Sequence, residues 1–452
     1  MPWPTGTRKT AETEKMRKLF NILFVLALAM PAQAQEADSL VAVCLNRNDW
    51  FRLQEVYRTD SSRISPFLRL FSKAMLNHFS GRPEAAVNDI RQILRDYQGE
   101  LGSANFISLV IMLGQNYSLL GDNRQAADIL QNFISAWKDR IDSISLAPYV
   151  ARERNYRSLG EYDLYQAQQP QDIYQIPFKI QEVGDSAQSL FFAEGRLNGH
   201  KGSFILDTGA AYNVITPDLD AAYGLKAIGG GTLVKGIKTL EGRTTIAESL
   251  QIGDLRLRNV PFVVLDIRDG GKIPERSTGF LKLIVGQPLL RRFASCTFDF
   301  TRNTLTLHAG APTGNDHADF RGNLCFTPGS VLQVNANDGR HHYPLILDSG
   351  STTSWMGPDY YKDHTADVAR EGKWTINGGA GYGGVSYTSQ FIMPQITLTV
   401  GKTTFSMKQM PVITMSTQQN NIDTGGGRLG NDFFRRWQQL TIDYTRMNLQ
   451  LK

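Results

Sequence analysis

Two short stretches decide the fold of this chain. The first is Phe204-Ile205-Leu206-Asp207-Thr208-Gly209-Ala210, and the second, 141 residues later, is Leu345-Ile346-Leu347-Asp348-Ser349-Gly350-Ser351. In each, three apolar residues run directly into Asp, a small hydroxyl residue and Gly, which predicts a buried strand that ends at a tight turn. One such Asp usually caps its own turn through its side chain. Two copies in matching surroundings are rare by chance, so they indicate a paired function of the two carboxylates.

The surroundings of the two motifs repeat as well. The segment Val285-Gly286-Gln287-Pro288-Leu289-Leu290-Arg291-Arg292-Phe293 is echoed 144 residues later by Leu429-Gly430-Asn431-Asp432-Phe433-Phe434-Arg435-Arg436-Trp437. A constant interval predicts two homologous lobes, which would bring two equivalent carboxylates together across a pseudo-two-fold axis. We expect each of these segments to lie behind the Asp loop of its own lobe, with its apolar residues buried and its Arg pair turned outward.

These features resemble the pepsin and retropepsin clan of aspartic peptidases. The resemblance rests on the motifs at 207–210 and 348–351 and on the late apolar-Gly pairs Val285-Gly286 and Leu429-Gly430, and it covers residues 173–452. Two lobes in one chain are similar to pepsin, whereas the short lobes and the Ala after the first Gly are more similar to a retropepsin subunit. The resemblance implies catalysis by Asp207 and Asp348.

Two carboxylates held close together in a water-poor cleft cannot both ionise, so they share one proton. Such a pair activates a water and protonates the carbonyl oxygen of a peptide, without a metal, a cofactor or a covalent intermediate. The resemblance implies that Thr208 and Ser349 tie the two Asp loops together. Gly209 and Gly350 allow the tight backbone and leave their amide groups free to approach the carboxylates.

Peptide substrates in this clan lie beneath a hairpin flap, so each lobe is expected to carry one between its Asp and its later Gly. In lobe one the candidates are Gly236 and Ile237, in a glycine-rich stretch, and in lobe two the candidate is Tyr382. Trp355, seven residues after Asp348, resembles the Trp that supports a flap Tyr in the first lobe of pepsin. Here it falls in the second lobe, and Tyr382 as an aromatic plug at a glycine-rich bend is the alternative.

The beginning of the chain predicts export. After a polar leader come Arg17 and Lys18, an apolar run from Leu19 to Met30 and the small-x-small site Ala32-Gln33-Ala34, which together are typical of a secretion signal cleaved after Ala34. The apolar run is shorter than the roughly 20 residues a membrane helix needs, so we expect no membrane span. The mature protein is expected in the periplasm or outside the cell.

Residues 35–168 are predicted to be helical, because apolar residues recur there at intervals of three and four. Turns at Gly81 and Gly121, 40 residues apart, separate long helices in a way that resembles tetratricopeptide-type hairpins, and a plain helical bundle is the open alternative. This region has no catalytic constellation, so we expect it to bind a protein partner, assist folding or control the cleft.

Composition limits the remaining function classes. With 41% hydrophobic and 20% charged residues the chain is globular. Of the net charge of +5, the leader supplies +3 (five basic and two acidic residues), so the mature chain carries 5 − 3 = +2, which argues against a nucleic-acid surface. Three cysteines form no disulfide framework; Cys296 is expected to be a buried thiol, with pairing to Cys325 as the alternative. His341 and His342 are interpreted as surface residues without metal-ligand partners.

Together these patterns predict an α+β multidomain protein: a leader and signal (1–34), an all-α helical-hairpin domain (35–168), and a mostly-β two-lobed acid-protease fold (173–310 and 320–452). The predicted activity is that of a secreted aspartic endopeptidase, active as one chain on peptide or protein substrates. Ala210 and Ser351 lack a Thr hydroxyl, which favours a pH optimum nearer neutrality. A catalytically silent pepsin-fold peptide-binding protein is the main alternative, and a two-carboxylate glycosidase is a weaker one because it does not explain the duplication.

Overall fold

The computed structural model describes residues 32–183, 188–235, 239–267, 279–310, 320–381, 384–415 and 425–452. Most of the predicted signal segment lies outside these ranges. The chain divides into two compact units between Gly160 and Glu161, and each is considered by itself. Gln166 and Ala167 already pair with Arg258 and Leu257 of the second unit, so this unit includes residues that the sequence assigns to the helical domain at 35–168.

The described part of the first unit is helical, as its apolar periodicity predicts. Its helices are α1 (Ala32–Arg47), α2 (Trp50–Asp60), α3 (Pro66–Phe79), α4 (Pro83–Asp96), α5 (Ser103–Leu119), α6 (Asn123–Trp137) and α7 (Ser143–Leu159). Proline opens α3 and α4, where its missing N–H costs no hydrogen bond. Each helix buries an apolar stripe, and the rings of Trp50 and Phe79 stack at 3.9 Å in the core. No helix in the described ranges is long and apolar enough to span a membrane.

The two glycine turns of this unit are equivalent in their hydrogen bonds. Gly81 and Gly121 have positive φ angles of 67° and 87°, which glycine adopts at little cost. The following N–H groups, of Arg82 and Asp122, each reach back five residues, to the carbonyl groups of Asn77 and Tyr117 at 2.9 Å. A turn that recurs after 40 residues with the same bonds is typical of stacked helical hairpins.

The first lobe of the second unit is mostly β-structure. Its elements are β1 (Gln166–Ala167), β2 (Ile173–Pro177), β3 (Lys179–Glu182), β4 (Ser189–Leu197), β5 (His200–Leu206), β6 (Val214–Ile215), α8 (Pro217–Tyr223), β7 (Lys226–Lys235), β8 (Thr239–Ile252), β9 (Leu255–Val264), β10 (Leu283–Val285), α9 (Gln287–Leu290), β11 (Ser295–Asp299) and β12 (Thr304–His308).

The second lobe repeats this order. Its elements are β13 (Leu324–Phe326), β14 (Leu332–Asn337), β15 (His342–Leu347), β16 (Trp355–Met356), α10 (Pro358–Asp363), α11 (Thr365–Glu371), β17 (Lys373–Gly381), β18 (Gly384–Val400), β19 (Thr403–Ile413), β20 (Gly427–Leu429), α12 (Asn431–Phe434), β21 (Gln439–Asp443) and β22 (Asn448–Leu451). The α+β multidomain fold with two β-rich lobes is therefore confirmed.

Each lobe delivers its Asp from a strand in the middle of a sheet. In lobe one the order is β1-β9-β6-β10-β5-β4-β8-β7, with β3 added on β4; in lobe two it is β13-β14-β15-β20-β16-β19-β18-β17. Strand β5 pairs in parallel with β10, and β15 pairs in parallel with β20. Strands β5 and β15 each have hydrogen-bonded neighbours on both sides. The start of the loop that follows each strand is therefore fixed by the sheet.

A third sheet joins the lobes, in the order β2-β12-β11-β21-β22. At its centre β11 pairs antiparallel with β21, and Thr297 lies opposite Thr441 with 2.9 Å between the two Oγ1 atoms. These two residues are 144 positions apart, the interval of the repeat, so the pseudo-two-fold axis passes between them. The short helices α9 and α12 bury their apolar residues, as expected for the repeated segments.

The cysteines are buried thiols. Cys296 packs in the apolar core, and its Sγ lies 3.5 Å from the Leu290 carbonyl oxygen. Cys325 is also buried, and its sulfur accepts a hydrogen bond from Gln333. The two do not form a disulfide, which agrees with the expectation for Cys296.

Candidate active site

The two Asp loops are built in the same way. The backbone N–H of Asp207 donates to the Val285 carbonyl, and that of Asp348 donates to the Leu429 carbonyl, both at 2.9 Å. The N–H of Gln287, which follows Gly286, donates to the Ala210 carbonyl. In the same way, the N–H of Asn431, which follows Gly430, donates to the Ser351 carbonyl. The repeated apolar-Gly segments therefore lie directly behind their own Asp loops, as the sequence predicts.

Four hydrogen bonds tie the loops to each other across the axis. Thr208 Oγ1 donates to the Leu347 carbonyl at 2.7 Å and accepts from the Ser349 N–H at 3.0 Å. In the reverse direction, Ser349 Oγ donates to the Leu206 carbonyl at 2.7 Å and accepts from the Thr208 N–H at 2.9 Å. All four bonds are buried, so each hydroxyl satisfies two backbone groups of the opposite lobe that would otherwise lack partners. We call this set the interlobe clasp.

The clasp brings the two carboxylates into the same small space. The backbone N–H of Gly209 donates to Asp207 Oδ1 at 2.8 Å, and that of Gly350 donates to Asp348 Oδ1 at 2.9 Å. A Cβ atom added to Gly209 would lie 2.3 Å from Cγ of Asp348, and one added to Gly350 would lie 2.3 Å from Cγ of Asp207. Any side chain at either position would therefore displace the carboxylate of the opposite lobe.

This closeness changes the protonation of the pair. Burial of the carboxylate, followed by the negative charge and hydrogen bond of Asp348, raises the pKa of Asp207 well above its usual value. The Gly209 N–H and the Arg428 charge act in the opposite direction but do not cancel the rise. The raised pKa favours retention of one proton by the pair of carboxylates.

The structure adds one residue that sequence reasoning missed. Arg428, in β20, places Nη1 2.6 Å from Asp348 Oδ2, while the side chain of Asp348 is only 7% exposed. The guanidinium therefore stabilises the negative charge of this carboxylate directly. A signal was present in the repeat: at the interval of 144 residues, Arg428 corresponds to the fully buried Ile284 of lobe one.

Of the flap candidates, the structure places only Trp355. It lies opposite Arg428 in the antiparallel pairing of β16 with β20, and its ring centre is 5.9 Å from Arg428 Cζ. Gly236, Ile237 and Tyr382 lie outside the described residues. The long hairpins that lead to them, β7–β8 and β17–β18, are present in the two lobes.

The interpretation of His341 as a residue without metal-ligand partners is wrong. Asp338 and His364 lie beside it, and the potential ligand atoms of the three are within 4.8 Å of one another. Sequence reasoning missed the group because His364 lies 23 residues after His341, between two helices rather than in the hairpin turn. His342 is exposed, as expected.

Comparisons with known proteins support the same class of fold. A family model described as aspartyl protease matches residues 193–286, which include the first Asp loop. Among solved structures, a retropepsin-like aspartic protease from Rickettsia conorii is 20% identical over 31% of this chain and 93% of its own, with a TM-score of 0.20.

Two seed proteins are similar over a larger part of the chain. Basic 7S globulin from soybean is 12% identical over 63% of this chain and 95% of its own (TM-score 0.40), and conglutin gamma from lupine is 9% identical over 62% and 94% (TM-score 0.37). No curated protein matches. The family match over residues 193–286 supports an aspartic-protease-type fold for lobe one, and the hydrogen bonds between the lobes bring the two Asp loops face to face.

Proposed function

We propose that this chain is an exported aspartic endopeptidase in which Asp207 and Asp348 activate a water for attack on a peptide bond. The observation that carries the proposal is the interlobe clasp, because its four buried bonds hold two carboxylates together from two lobes. Two like charges held close together repel each other, which costs free energy. A fold that nevertheless places two carboxylates together favours a functional role for the proton that they share.

The contacts of the two carboxylates favour different roles for them. Asp207, whose pKa is raised, is the proposed holder of the shared proton, while the Asp348 carboxylate is bonded to the Arg428 guanidinium. In the reaction, Asp348 takes a proton from the water as the water oxygen bonds to the peptide carbonyl carbon. Asp207 gives its proton to the carbonyl oxygen, forming a neutral tetrahedral diol. Its collapse breaks the C–N bond as Asp348 passes the proton taken from the water to the leaving nitrogen, while one hydroxyl of the diol returns its proton to Asp207 and becomes the carbonyl oxygen of the product acid.

A second candidate function is a catalytically silent peptide-binding protein. It is favoured by Arg428, since a guanidinium bonded to one oxygen of Asp348 competes with water for the same carboxylate.

The helical unit is proposed as the part of the chain that binds a protein partner, because stacked helical hairpins present extended surfaces. Export, with cleavage after Ala34, is part of the same proposal.

The test is peptide cleavage by the purified chain, read by mass spectrometry on a mixed peptide library. Asp207→Asn and Asp348→Asn should each lower kcat/KM by at least about 10³-fold, because each removes half of the shared-proton pair at nearly constant volume. The matched control is Asp254→Asn, an exposed carboxyl in the β8–β9 turn. A wild-type protein that binds library peptides without cutting any would establish the silent alternative instead.

A further inference from the structure

A second cluster of titratable side chains lies in lobe two, apart from the Asp loops. Asp338 and His341 belong to the turn between β14 and β15, and His364 is the residue between α10 and α11. His364 Nε2 lies 2.6 Å from Asp338 Oδ2, and His341 Nδ1 lies 3.6 Å from the same oxygen. We call these three residues the His-Asp cluster.

The chemistry of the cluster is that of a transition-metal site. Two imidazole nitrogens and one carboxylate oxygen are ligands that Zn²⁺ accepts, usually in tetrahedral geometry with a fourth position for water. Metal–ligand bonds of about 2.0–2.2 Å place neighbouring ligand atoms about 3.3 Å apart. The observed 2.6 and 3.6 Å lie on either side of this value, and all three potential ligand atoms lie within 4.8 Å of one another.

An ordinary ion pair between Asp338 and His364 would leave part of the cluster unexplained. His341 Nδ1 is shielded from solvent within a side chain that is 43% exposed; it makes no hydrogen bond among the described residues, and Asp338 Oδ2 lies 3.6 Å away. A buried ring nitrogen without a partner is costly, whereas the same nitrogen aimed at a cation is satisfied. This atom is what distinguishes a ligand set from a hydrogen-bonded turn.

The surrounding groups orient the three side chains as an outer shell does around a metal. Asp338 Oδ1 accepts the backbone N–H groups of Arg340 and His341, at 2.8 and 2.7 Å, which turns Oδ2 toward the two rings. Tyr343 Oη donates to that oxygen at 3.3 Å, and an Asp367 oxygen lies 3.9 Å from the second ring nitrogen of His364. Such partners fix the ring orientation of a metal-bound His.

We propose that Asp338, His341 and His364 form a binding site for Zn²⁺ or a chemically similar divalent transition metal. The site would join the tip of the β14–β15 hairpin to the α10–α11 junction. Strand β15 leads from this tip to Asp348. The metal would therefore stabilise the position of the hairpin strand that carries the second Asp loop. The proposal does not depend on peptidase activity.

The experiment is a titration of the full chain, purified without a histidine tag and stripped with a chelator, with ZnCl₂ by calorimetry. CoCl₂ in a parallel titration reports tetrahedral ligation through its visible absorption. We expect one ion per chain and a rise in melting temperature with added Zn²⁺, because the ion binds only the folded state.

Three variants assign the ligands. His341→Gln and His364→Gln should each weaken Zn²⁺ binding at least about tenfold and abolish the melting-temperature rise. His342→Gln is the matched control, because this neighbouring His is exposed and its ring bonds to Asn335 Oδ1, at 3.2 Å, rather than to Asp338. Melting curves without metal show whether each variant is folded, and either ligand variant alone decides the question if the other fails to fold. Absence of stoichiometric binding by the wild type, or equal binding by His342→Gln and the ligand variants, would overturn the proposal.

Discussion

At the scale of single residues, Arg428 is the feature that separates the two lobes. Lobe one has the buried Ile284 at the corresponding position, so the two halves of an otherwise symmetric site differ by one positive charge. The guanidinium of Arg428 contacts the Asp348 carboxylate, and its charge also lowers the pKa of Asp207. In the proposed mechanism, this charge gives the two Asp residues of the duplicated site different roles, with Asp207 as proton donor and Asp348 as proton acceptor.

Replacing Arg428 should move the alkaline limb of the activity profile. The Arg428 charge lowers the pKa of Asp207, so its removal in Arg428→Gln lets that pKa rise further. Loss of the Asp207 proton ends activity at high pH, and the alkaline limb of kcat/KM should accordingly move to higher pH.

The measurement is kcat/KM against pH for wild type, Arg428→Gln and the control Arg436→Gln, whose exposed side chain lies at the end of α12. A limb that stays in place or moves to lower pH would contradict the assigned proton on Asp207.

At the scale of elements, the two Asp loops are held by each other rather than by their own lobes alone. Each hydroxyl of the clasp bonds to two backbone groups of the opposite loop, so removal of one hydroxyl leaves an N–H and a C=O without partners. Buried backbone groups that lose their partners cost far more than exposed ones. The loops should therefore open together.

Thr208→Val tests the clasp, since Val has nearly the same shape but no hydroxyl. It should destabilise the loop region by about 2–4 kcal/mol, the cost of two lost buried hydrogen bonds. Hydrogen exchange read by mass spectrometry should show faster exchange in peptides that cover 204–210 and 345–351 alike. Thr208→Ser keeps the hydroxyl and should exchange nearly as slowly as wild type. Faster exchange in the first peptide only would mean that the two loops are not coupled.

At the scale of the whole molecule, one chain supplies both carboxylates of the proposed site. The sheet that pairs β11 with β21 fastens the lobes to each other, and the clasp fastens the two Asp loops above it. A protein with a single lobe would have to dimerise to assemble two carboxylates, whereas here the duplication removes that need.

Mixing two inactive variants checks this arrangement. Asp207→Asn and Asp348→Asn, combined in equal amounts, should remain as inactive as each is separately, because no chain of the mixture contains both carboxylates. Incubation under conditions that allow subunit exchange, followed by the peptide-cleavage assay, gives the answer. Recovered activity, up to about a quarter or half of the wild-type rate by random pairing, would show that two chains share one site.

The sequence by itself determined the features that depend on local pattern and on repetition. Three apolar residues before an Asp predict a buried strand and a turn, and the intervals of 141 and 144 residues predict two equivalent lobes that place Asp207 opposite Asp348. Helical periodicity likewise predicts α3 to α6, since an amphipathic stripe is encoded within one segment.

Only the tertiary structure decided which distant side chains meet. Arg428 reaches Asp348 because β20 lies between β15 and β16, and His364 reaches Asp338 because the α10–α11 junction packs beside a hairpin tip. Neither contact has a local signature, since strand order and the packing of separate elements are set by burial over the whole lobe. A pattern within one segment specifies what that segment forms, whereas the neighbours of a charged side chain depend on how all the segments are packed together.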